Sequence, residues 1–480
     1  NSTKTGIKKK ANSFIGEKGI GFKSVFALAK SVEIHSSDWH FKLKKESCII
    51  PQKIKNRRTQ EGTKIVIHFL EDVKNENSID IIADELYKYF ATDVETFLFL
   101  QQLSEFNLVD ARKLKDQKSY SLEISPNNRK SSKLEITSSF NCSSNEYVLY
   151  SERIIFPKDI VAARWEKIGN EIGEIERTFT IASKLIINDN EAGRVFCFLP
   201  TNVLLPVPIY LQIDGHTKAD RESLHDPSNN IWNKYLLSKL PEFLNNSILE
   251  FRKEKSISDD LYKLVPYGKA YGQFSEVINQ WIECLKGSAW VKTYSEEWVT
   301  PEDAIIPNQY IGKIINKYQD YREAVEKKLR KKFVNHEWLI NKNAYKKLTE
   351  VYSVCVIDEE MESEILSKIG IPKEILSNQE SLKDLYNYIV KYDVFSNKSY
   401  LWRREEKNNR IKNNLSSAPI FPIEGEGFSF LKKNTDDKNI FWISTKSKRE
   451  TGLGSSKNEN QYFRIVDPQY TYTANEGGSN

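Results

Sequence analysis

Apolar residues recur along this chain with two periods, and the places where the period changes outline its organisation. Near the start, "SVFALAK" (Ser24–Lys30) spaces its apolar residues as a short buried helix does, while "SVEIHS", "HFKLKK" and "TKIVIHFL" (Thr63–Leu70) alternate as strands do. Residues 78–106 return to helical spacing in "IDIIADELYKYF" and "ETFLFLQQL", so the first block is expected to be α+β. From about 115 to 220 strand patterns dominate, in "YSLEIS", "KLEITSSF", "RTFTIASKLII", "RVFCFLP" and "PVPIYLQID". After "NNIWNKYLL" (Asn229–Leu237) helical spacing takes over. In the last third, "CLKGSAWVKTYSEEWVTPEDAII" and "NLSSAPIFPIEGEGFSFLKKNTDDKNIFWIS" share one layout of helix end, small-residue turn, apolar strand, turn and second strand, a weak internal repeat. The tail from Arg449 is rich in Gly, Ser and Asn and reads as mobile. The expected organisation is a first domain at 1–110, a β-rich middle domain at 111–228, a helical connector at 229–290 and a mixed α/β region at 291–480.

Composition narrows this picture. At 480 residues, two to four domains are expected, and 39% hydrophobic residues with 12% aromatic ones argue for a folded chain rather than a disordered one. Lys and Arg total 71 against 66 acids, a net charge of +5 that is too small for such a length to demand a nucleic-acid partner. The five cysteines, Cys48, Cys142, Cys197, Cys284 and Cys355, lack metal-ligand or redox spacing, which fits a reducing, cytoplasmic setting. No apolar run is long enough to span a membrane, and no signal peptide is visible. The chain opens on Asn rather than Met with the polar stretch "NSTKTGIKKKANS", so the native protein is expected to begin upstream.

One short stretch carries chemistry. "FIGEKGIGFKSVF" (Phe14–Phe26) places Gly16, Gly19 and Gly21 ahead of a helix-like run, with Lys18 and Lys23 beside them. Glycines let backbone N–H groups approach a phosphate, and a helix N-terminus adds partial positive charge. The stretch has neither the G-K-[ST] ending of a Walker loop nor the preceding strand of a dinucleotide fingerprint. From the residues alone, an anion-binding loop and a ligand-free turn are both open.

"IGEKGIGFKSVFA" resembles the lid-side glycine box of the GHKL ATPases, the superfamily of the ninety-kilodalton heat-shock chaperone, gyrase B, MutL and histidine kinases, and its wording is most similar to the sacsin and NO VEIN subgroup. The resemblance implies that Gly16, Glu17, Lys18, Gly19, Ile20, Gly21, Phe22 and Lys23 cradle the terminal phosphates of ATP. "EGTKIVIHF" resembles the later Gly-Thr box, which would direct Thr63 to the adenine side, and "TFLFLQQLSEF" resembles the helix that ends the ATPase domain. "YLQIDGHTKADRESLHDPSNNIWNKYLL" resembles the middle-domain segment whose arginine reaches the γ-phosphate, making Arg221 the candidate catalytic residue. The superfamily's general-base Glu, its Mg²⁺-ligating Asn and its adenine-binding Asp-x-Gly-x-Gly box precede the glycine lid, so these are expected upstream of this chain, and hydrolysis is expected where the native protein carries them.

Other clusters have plainer readings. "DGHTKADRESLHD" brings together Asp214, His216, Asp220, His225 and Asp226, which suit a divalent ion or, more simply, a surface loop between a strand and a helix; no metal site is assigned. His35, His40 and His68 fall on or beside strands and read as structural. Basic runs at Lys8–Lys10, "KIKNRR", "KKLRKKF" (Lys327–Phe333) and "LWRREEKNNRIKNN" fit phosphate contact or, with their interleaved acids, a solvated helix face. The reading is an α+β protein: a partial Bergerat-type ATP-binding α/β sandwich, a β-rich middle domain and a mixed α/β C-terminal region. The expected function is an ATP- and Mg²⁺-dependent conformational switch with a chaperone-like or anti-phage role. It would act on a protein partner or a second subunit, a homo-oligomer included, with no membrane and with nucleic-acid contact left open. The alternative is a non-enzymatic scaffold or nucleic-acid-binding protein with a relic nucleotide pocket.

Overall fold

The computed structural model describes residues 25–47, 50–56, 61–71, 76–100, 103–109, 119–126, 133–140, 142–164, 173–188, 191–218, 220, 222–268, 272–372, 403–418, 421–423, 427–429, 440–441 and 464–465. The fold is mixed α+β, and the chain divides into two compact units between Trp281 and Ile282.

The first unit opens with one 3-10 turn at 25–27, which leads into strand β1 (Ala29–Ser36). A two-residue turn at Ser37–Asp38, with Ser37 at φ 46°, returns the chain as β2 (Trp39–Lys44). With β3 (Gln52–Lys53) and β4 (Thr63–Phe69) these make an antiparallel sheet in the order β3-β2-β1-β4. The helix expected at Ser24–Lys30 is not formed. Ala29 already pairs with Phe69, and Phe26, Ala29 and Val32 are buried together, so ladder pairing and a shared core override the local helical spacing.

Helix α1 (Glu76–Thr92) follows, as its apolar spacing predicts, but the helix does not continue through "ETFLFLQQL". Instead Val94–Phe97 forms a 3-10 turn and Glu105–Val109 forms strand β5. Phe97, Leu98 and Phe99 are all buried, and three consecutive buried residues cannot share the single stripe of a surface helix. They enter a cluster with Ile136, Phe140, Tyr147, Ala182, Phe196 and Tyr210, against which Tyr87 and Phe90 of α1 also pack.

That cluster covers one face of an eight-stranded sheet built from β5, β6 (Ser119–Pro126), β7 (Lys133–Ser138), β8 (Ser143–Phe156), β9 (Ile175–Lys184), β10 (Gly193–Cys197), β11 (Leu199–Leu205) and β12 (Tyr210–Gln212), with helix α2 (Lys158–Arg164) between β8 and β9. The order is β11-β10-β12-β9-β8-β7-β6-β5; neighbours are antiparallel except β10 and β12. The opposite face receives helix α3 (Ile231–Phe251): Trp232 stacks on Phe156 with ring centroids 4.1 Å apart, and Phe243 lies against Tyr150 and Phe179. Strand alternation explains the division, because Tyr147 and Leu149 of β8 face one layer while Tyr150 and Phe156 face the other. Helix α4 (Lys255–Ser258) follows, and helix α5 (Ser275–Lys286) carries the chain across the unit boundary.

In the second unit β13 (Val291–Lys292) and β14 (Trp298–Val299) form a small hairpin. Strand β15 (Ala304–Ile306) is the centre of a parallel trio, with β16 (Lys332–Phe333) on one side and β17 (Cys355–Val356) on the other. Helices α6 (Gln309–Lys317), α7 (Gln319–Leu329), α8 (His336–Ile340), α9 (Lys342–Lys346), α10 (Glu359–Ile369) and α11 (Arg403–Ser416) complete it; Ile305, Ile315, Phe333, Leu366, Ile411 and Leu415 share its core. After α11, β18 (Phe421–Ile423) and β19 (Gly427–Ser429) form a second hairpin, and β20 (Ile440–Phe441) pairs in parallel with β21 (Arg464–Ile465). The order of helix, antiparallel hairpin and parallel-paired strand thus occurs after both α5 and α11. Apart from β21, the tail from Arg449 lies outside the described residues.

Gly193 opens β10 where β12 crosses beside it. A Cβ there would meet the carbonyl oxygens of Ile209 and Val207 far inside van der Waals contact, and backbone cannot swing aside as a side chain can. Gly193→Ala is expected to destabilise the first unit by about 1–3 kcal/mol, measured as a lower thermal midpoint. Gly215→Ala meets the flexible Leu224 side chain as its nearest obstacle, with Cys197 Sγ at 3.0 Å, and should cost less.

Candidate functional site

The glycine box, Gly16, Glu17, Lys18, Gly19, Ile20, Gly21, Phe22 and Lys23, lies outside the described residues. What the structure describes is its exit: the 25–27 turn delivers the chain into β1, a central strand of the four-stranded sheet. Thr63 opens the neighbouring strand β4, immediately after Gly62, whose φ of 105° is a conformation that favours glycine. The Thr63 hydroxyl lies 2.7 Å from the Ser36 hydroxyl at the end of β1. By alternation Thr63 shares a face with Ile65 and Ile67, which are 51% and 41% exposed, so a hydroxyl stands at the end of an exposed apolar strip.

The reverse face of this sheet is polar. Glu33 is buried on β1, with Lys42 Nζ at 3.2 Å and His68 Nε2 at 3.1 Å from one carboxylate oxygen and the fully buried His35 at 3.8 Å from the other. His35 and His40 face each other across the β1–β2 pair. His35 and His68 therefore flank one carboxylate, with His40 against His35, and among the described residues no cluster has the arrangement of a metal centre.

Arg221 also lies outside the described residues, as does residue 219, while the rest of the loop around them is described. After β12 the chain leaves the sheet, bridges Thr217 to Leu224 and returns, with the Lys218 N–H donating to Ser223 O and the His225 N–H donating to His216 O. The cluster Asp214, His216, Asp220, His225 and Asp226 is this excursion, and its acids have local partners. Asp214 accepts from Arg177 Nε at 2.5 Å, Asp220 accepts from the Glu222 N–H, and Asp226 accepts from the Ser228 N–H, which holds the Asp226 carboxyl below its usual range.

Three supports fix the excursion. Asn202 on β11 donates its N–H to Glu222 O at 2.8 Å. Gln273 Nε2 donates to Leu224 O at 3.1 Å, while the β10–β11 connection alongside is held separately by the N–H of Phe198, left-handed at φ 67°, to Gln212 Oε1 at 2.8 Å. The third is Asn233, fully buried in the first turn of α3. Its Oδ1 accepts from the His216 N–H at 2.8 Å, and its Nδ2 donates to both His216 O and His225 O at 2.9 Å. Asn230 caps the helix by accepting from the Asn233 N–H and meets His216 Nδ1 at 2.9 Å. Sequence reasoning missed Asn233; the only signal was the Asn-rich start "NNIWN", which reads as ordinary helix capping.

Beneath the sheet a set of charges is half-buried. Lys184 Nζ on β9 lies 2.9 Å from Glu95 Oε1 and 2.6 Å from Glu191 Oε1. Tyr210 donates toward both carboxylates, at 3.1 Å and 2.9 Å, and Tyr147 donates to Glu95 at 3.2 Å. Arg194 and Asp93 pair alongside at 2.6 Å. Burial works to raise the Glu95 carboxyl, but the Lys184 ammonium and the hydrogen bonds outweigh it and hold it below its ordinary 4.5. Burial likewise opposes the Lys184 charge, and the two glutamates override it and raise the ammonium above its usual range. Burial, reinforced by Glu95, pushes both phenols far above theirs.

Of the basic runs, "KKLRKKF" covers the last turn of α7 and β16. Lys332 there is engaged by Glu297 at 3.2 Å and by the buried Glu326 at 3.3 Å, and Arg330 caps the helix at φ 55°. In the described part of "LWRREEKNNRIKNN", Lys407 pairs with Asp358 and Arg410 with Glu360. No helix among the described residues is long and apolar enough to cross a membrane.

No protein-family model matches the sequence. Among characterised proteins the chain is similar to Protein NO VEIN of Arabidopsis thaliana, with 24% identity over 344 residues that cover 61% of this chain and 11% of the plant protein. The chain thus spans a small part of that relative's length.

Replacing Lys184 by Met leaves the partly buried Glu95 and Glu191 without their ammonium and is expected to cost on the order of 1 kcal/mol at neutral pH, the loss being screened by the water that reaches Lys184 and Glu191. The sign with pH follows from the two carboxyl states. In the unaltered protein the depressed Glu95 contributes stability that persists above its ordinary 4.5 and is lost only as pH falls through its lower folded value. Without Lys184, burial raises that carboxyl, and protonation relieves the variant as pH falls. The difference in thermal midpoint should therefore be largest near pH 7 and shrink toward pH 4; a constant difference would remove Glu95 from the account.

Proposed function

We propose that this chain belongs to an ATP-binding conformational switch of the GHKL type, with nucleotide held under the glycine box at Gly16–Lys23 and read by Arg221. The observation that carries the reading is the Gly62–Thr63 step beside Ser36. The glycine box precedes β1 in sequence, and Thr63 stands against the far end of that strand, roughly 20 Å from its start at about 3.3 Å per residue. A phosphate-binding segment leading into a strand that ends at an adenine-side hydroxyl would suit an elongated nucleotide lying along the sheet. The apolar strip of Ile65 and Ile67 next to Thr63 suits an adenine ring, which needs a flat apolar wall beside a polar group.

In this reading Lys18, Lys23 and the backbone of the glycine box hold the terminal phosphates. Arg221, brought from the loop after β12, stabilises charge on the transferring phosphoryl group, a role worth roughly 10³–10⁵ in rate in other nucleotide hydrolases. Mg²⁺ neutralises phosphate charge when bound; the resemblance assigns its ligand, the general base and the adenine-binding acid to segments outside this chain. Nucleotide-dependent closure would move the distal elements against a protein partner, in a chaperone-like or defence role.

The test is nucleotide binding and turnover by the full-length native protein. Thr63→Val and Gly21→Ala are expected to weaken ATP binding about tenfold or more, each removing a polar contact or a close backbone approach. Arg221→Ala should leave binding nearly intact and reduce turnover roughly 10³-fold. Absence of ATP binding by the full-length protein would rule the reading out.

A further inference from the structure

The second unit holds an open cleft of about 890 Å³ that the nucleotide reading does not use. Its volume falls within the roughly 300–1,000 Å³ of small-molecule sites. One wall is a single stripe of α7 and its end, where Gln319, Arg322, Glu323, Glu326, Lys327 and Arg330 recur at three- and four-residue spacing. The β13–β14 hairpin and Asp303, the residue before β15, supply much of the rest. Among the described residues that line it, Val299 is the only aliphatic one, which suits a hydrophilic occupant.

The charges in the cleft are not equally engaged. Glu297 and Glu326 share Lys332, at 3.2 Å and 3.3 Å, and Glu296 is met by Lys292 at 2.5 Å. Arg322 lies over the Tyr294 ring, 5.1 Å from its centroid, and donates to Ile315 O. Asp303 and Glu323 are met only by neutral donors, the Thr300 hydroxyl at 2.7 Å and the Gln319 carboxamide at 2.8 Å, each on one carboxylate oxygen. The side chains of Lys327 and Arg330 have no hydrogen-bond or ion-pair partner among the described residues. Arg330 is also an unusual choice for its place. It ends α7 at φ 55°, a left-handed conformation in which helix ends favour glycine. A cation there offsets the helix dipole, but Lys327 and Lys328 already stand in the last turn. The arginine is therefore kept against the preference of its own backbone, at a point that lines the cleft.

We propose that this cleft binds a small sugar or polyol phosphate, with Arg330 and Lys327 taking the phosphate and Asp303 and Glu323 accepting from its hydroxyl groups. A guanidinium presents paired N–H donors that match phosphate oxygens, and an ammonium adds a second full charge. Carboxylates are acceptors only, so they recognise hydroxyls and repel a second phosphate. One phosphate on a hydroxyl-bearing body satisfies both sets. A nucleic-acid strand would instead lay successive phosphates against Glu323 and Asp303. The assignment is independent of the nucleotide reading, which concerns the first unit.

The experiment titrates glucose 6-phosphate, ribose 5-phosphate, glucose, inorganic phosphate and a short single-stranded oligonucleotide into the full-length protein by calorimetry. Arg330→Gly, Lys327→Ala and Glu323→Gln are run alongside, with a thermal midpoint for each. At least one sugar phosphate is expected to bind about tenfold or more tightly than glucose or inorganic phosphate, since each of these keeps only half of the contacts. Arg330→Gly should keep or raise the thermal midpoint, because glycine relieves the left-handed backbone, while weakening the sugar phosphate about tenfold or more. Lys327→Ala should weaken it as well, and Glu323→Gln should weaken the sugar phosphate but not inorganic phosphate. Failure of both sugar phosphates to bind would overturn the proposal. So would undiminished binding in both Arg330→Gly and Lys327→Ala, which would place the phosphate elsewhere. Tighter binding of the oligonucleotide, lost in Arg330→Gly and with a salt slope of about 0.7 for each of several phosphates, would overturn it in favour of a strand-binding groove.

Discussion

The first unit depends on a set of partly buried charges that satisfy one another. Lys184 between Glu95 and Glu191, with the hydroxyls of Tyr147 and Tyr210, is satisfied only if a 3-10 turn, three sheet strands and the loop before β10 meet within hydrogen-bond distance. Partial burial of such groups is unfavourable unless their partners are in place, so slippage of any one element leaves a charge unpaired in a half-buried site. The aromatic residues around them, Phe97, Phe99, Phe140 and Phe196, exclude water but are tolerant of direction. The ionic set is not, and it gives the apolar cluster a single register.

The loop that carries Arg221 inherits that order. The sheet fixes β10 through β12, and α3 is fixed on the opposite face by Trp232 and Phe243. Polar groups then transmit these positions outward, through Gln212 to the strained Phe198 turn, through Asn202 to Glu222 and through Asn233 to His216 and His225. The chain thus passes from a rigid two-sided core to a loop with little freedom at its base. The four-stranded sheet differs, since its face bearing Thr63 leaves Ile65 and Ile67 open to solvent while its polar face hides Glu33 and His35.

Much of the α+β character was legible in the sequence because alternation is a local property. Strands β1, β2, β4, β6, β7 and β9 lie where the period of two is clean. Strand β8, the longest, was not singled out: "SSNEYVLYSERIIF" interrupts its apolar residues with Glu146, Glu152 and Arg153, and its pattern makes sense only with both helical layers in place. The two misplaced helices have the same origin. "SVFALAK" and "ETFLFLQQL" carry helix-compatible spacing, but each is buried by partners distant in sequence, Phe69 for one and Phe196 for the other. The site divides in a similar way. Glycine boxes announce themselves by composition, as does the cluster around Arg221. Asn233 does not, because an asparagine in the first turn of a helix has an ordinary explanation until the loop packed against it is known.

Gly193 carries a consequence of another kind. Its place against the Ile209 and Val207 carbonyls leaves room for one amino acid out of twenty, whereas most core positions accept several side chains of similar volume. A side chain placed there cannot be absorbed by a neighbour changing rotamer: one backbone segment would have to move against another, so this position has no local repair.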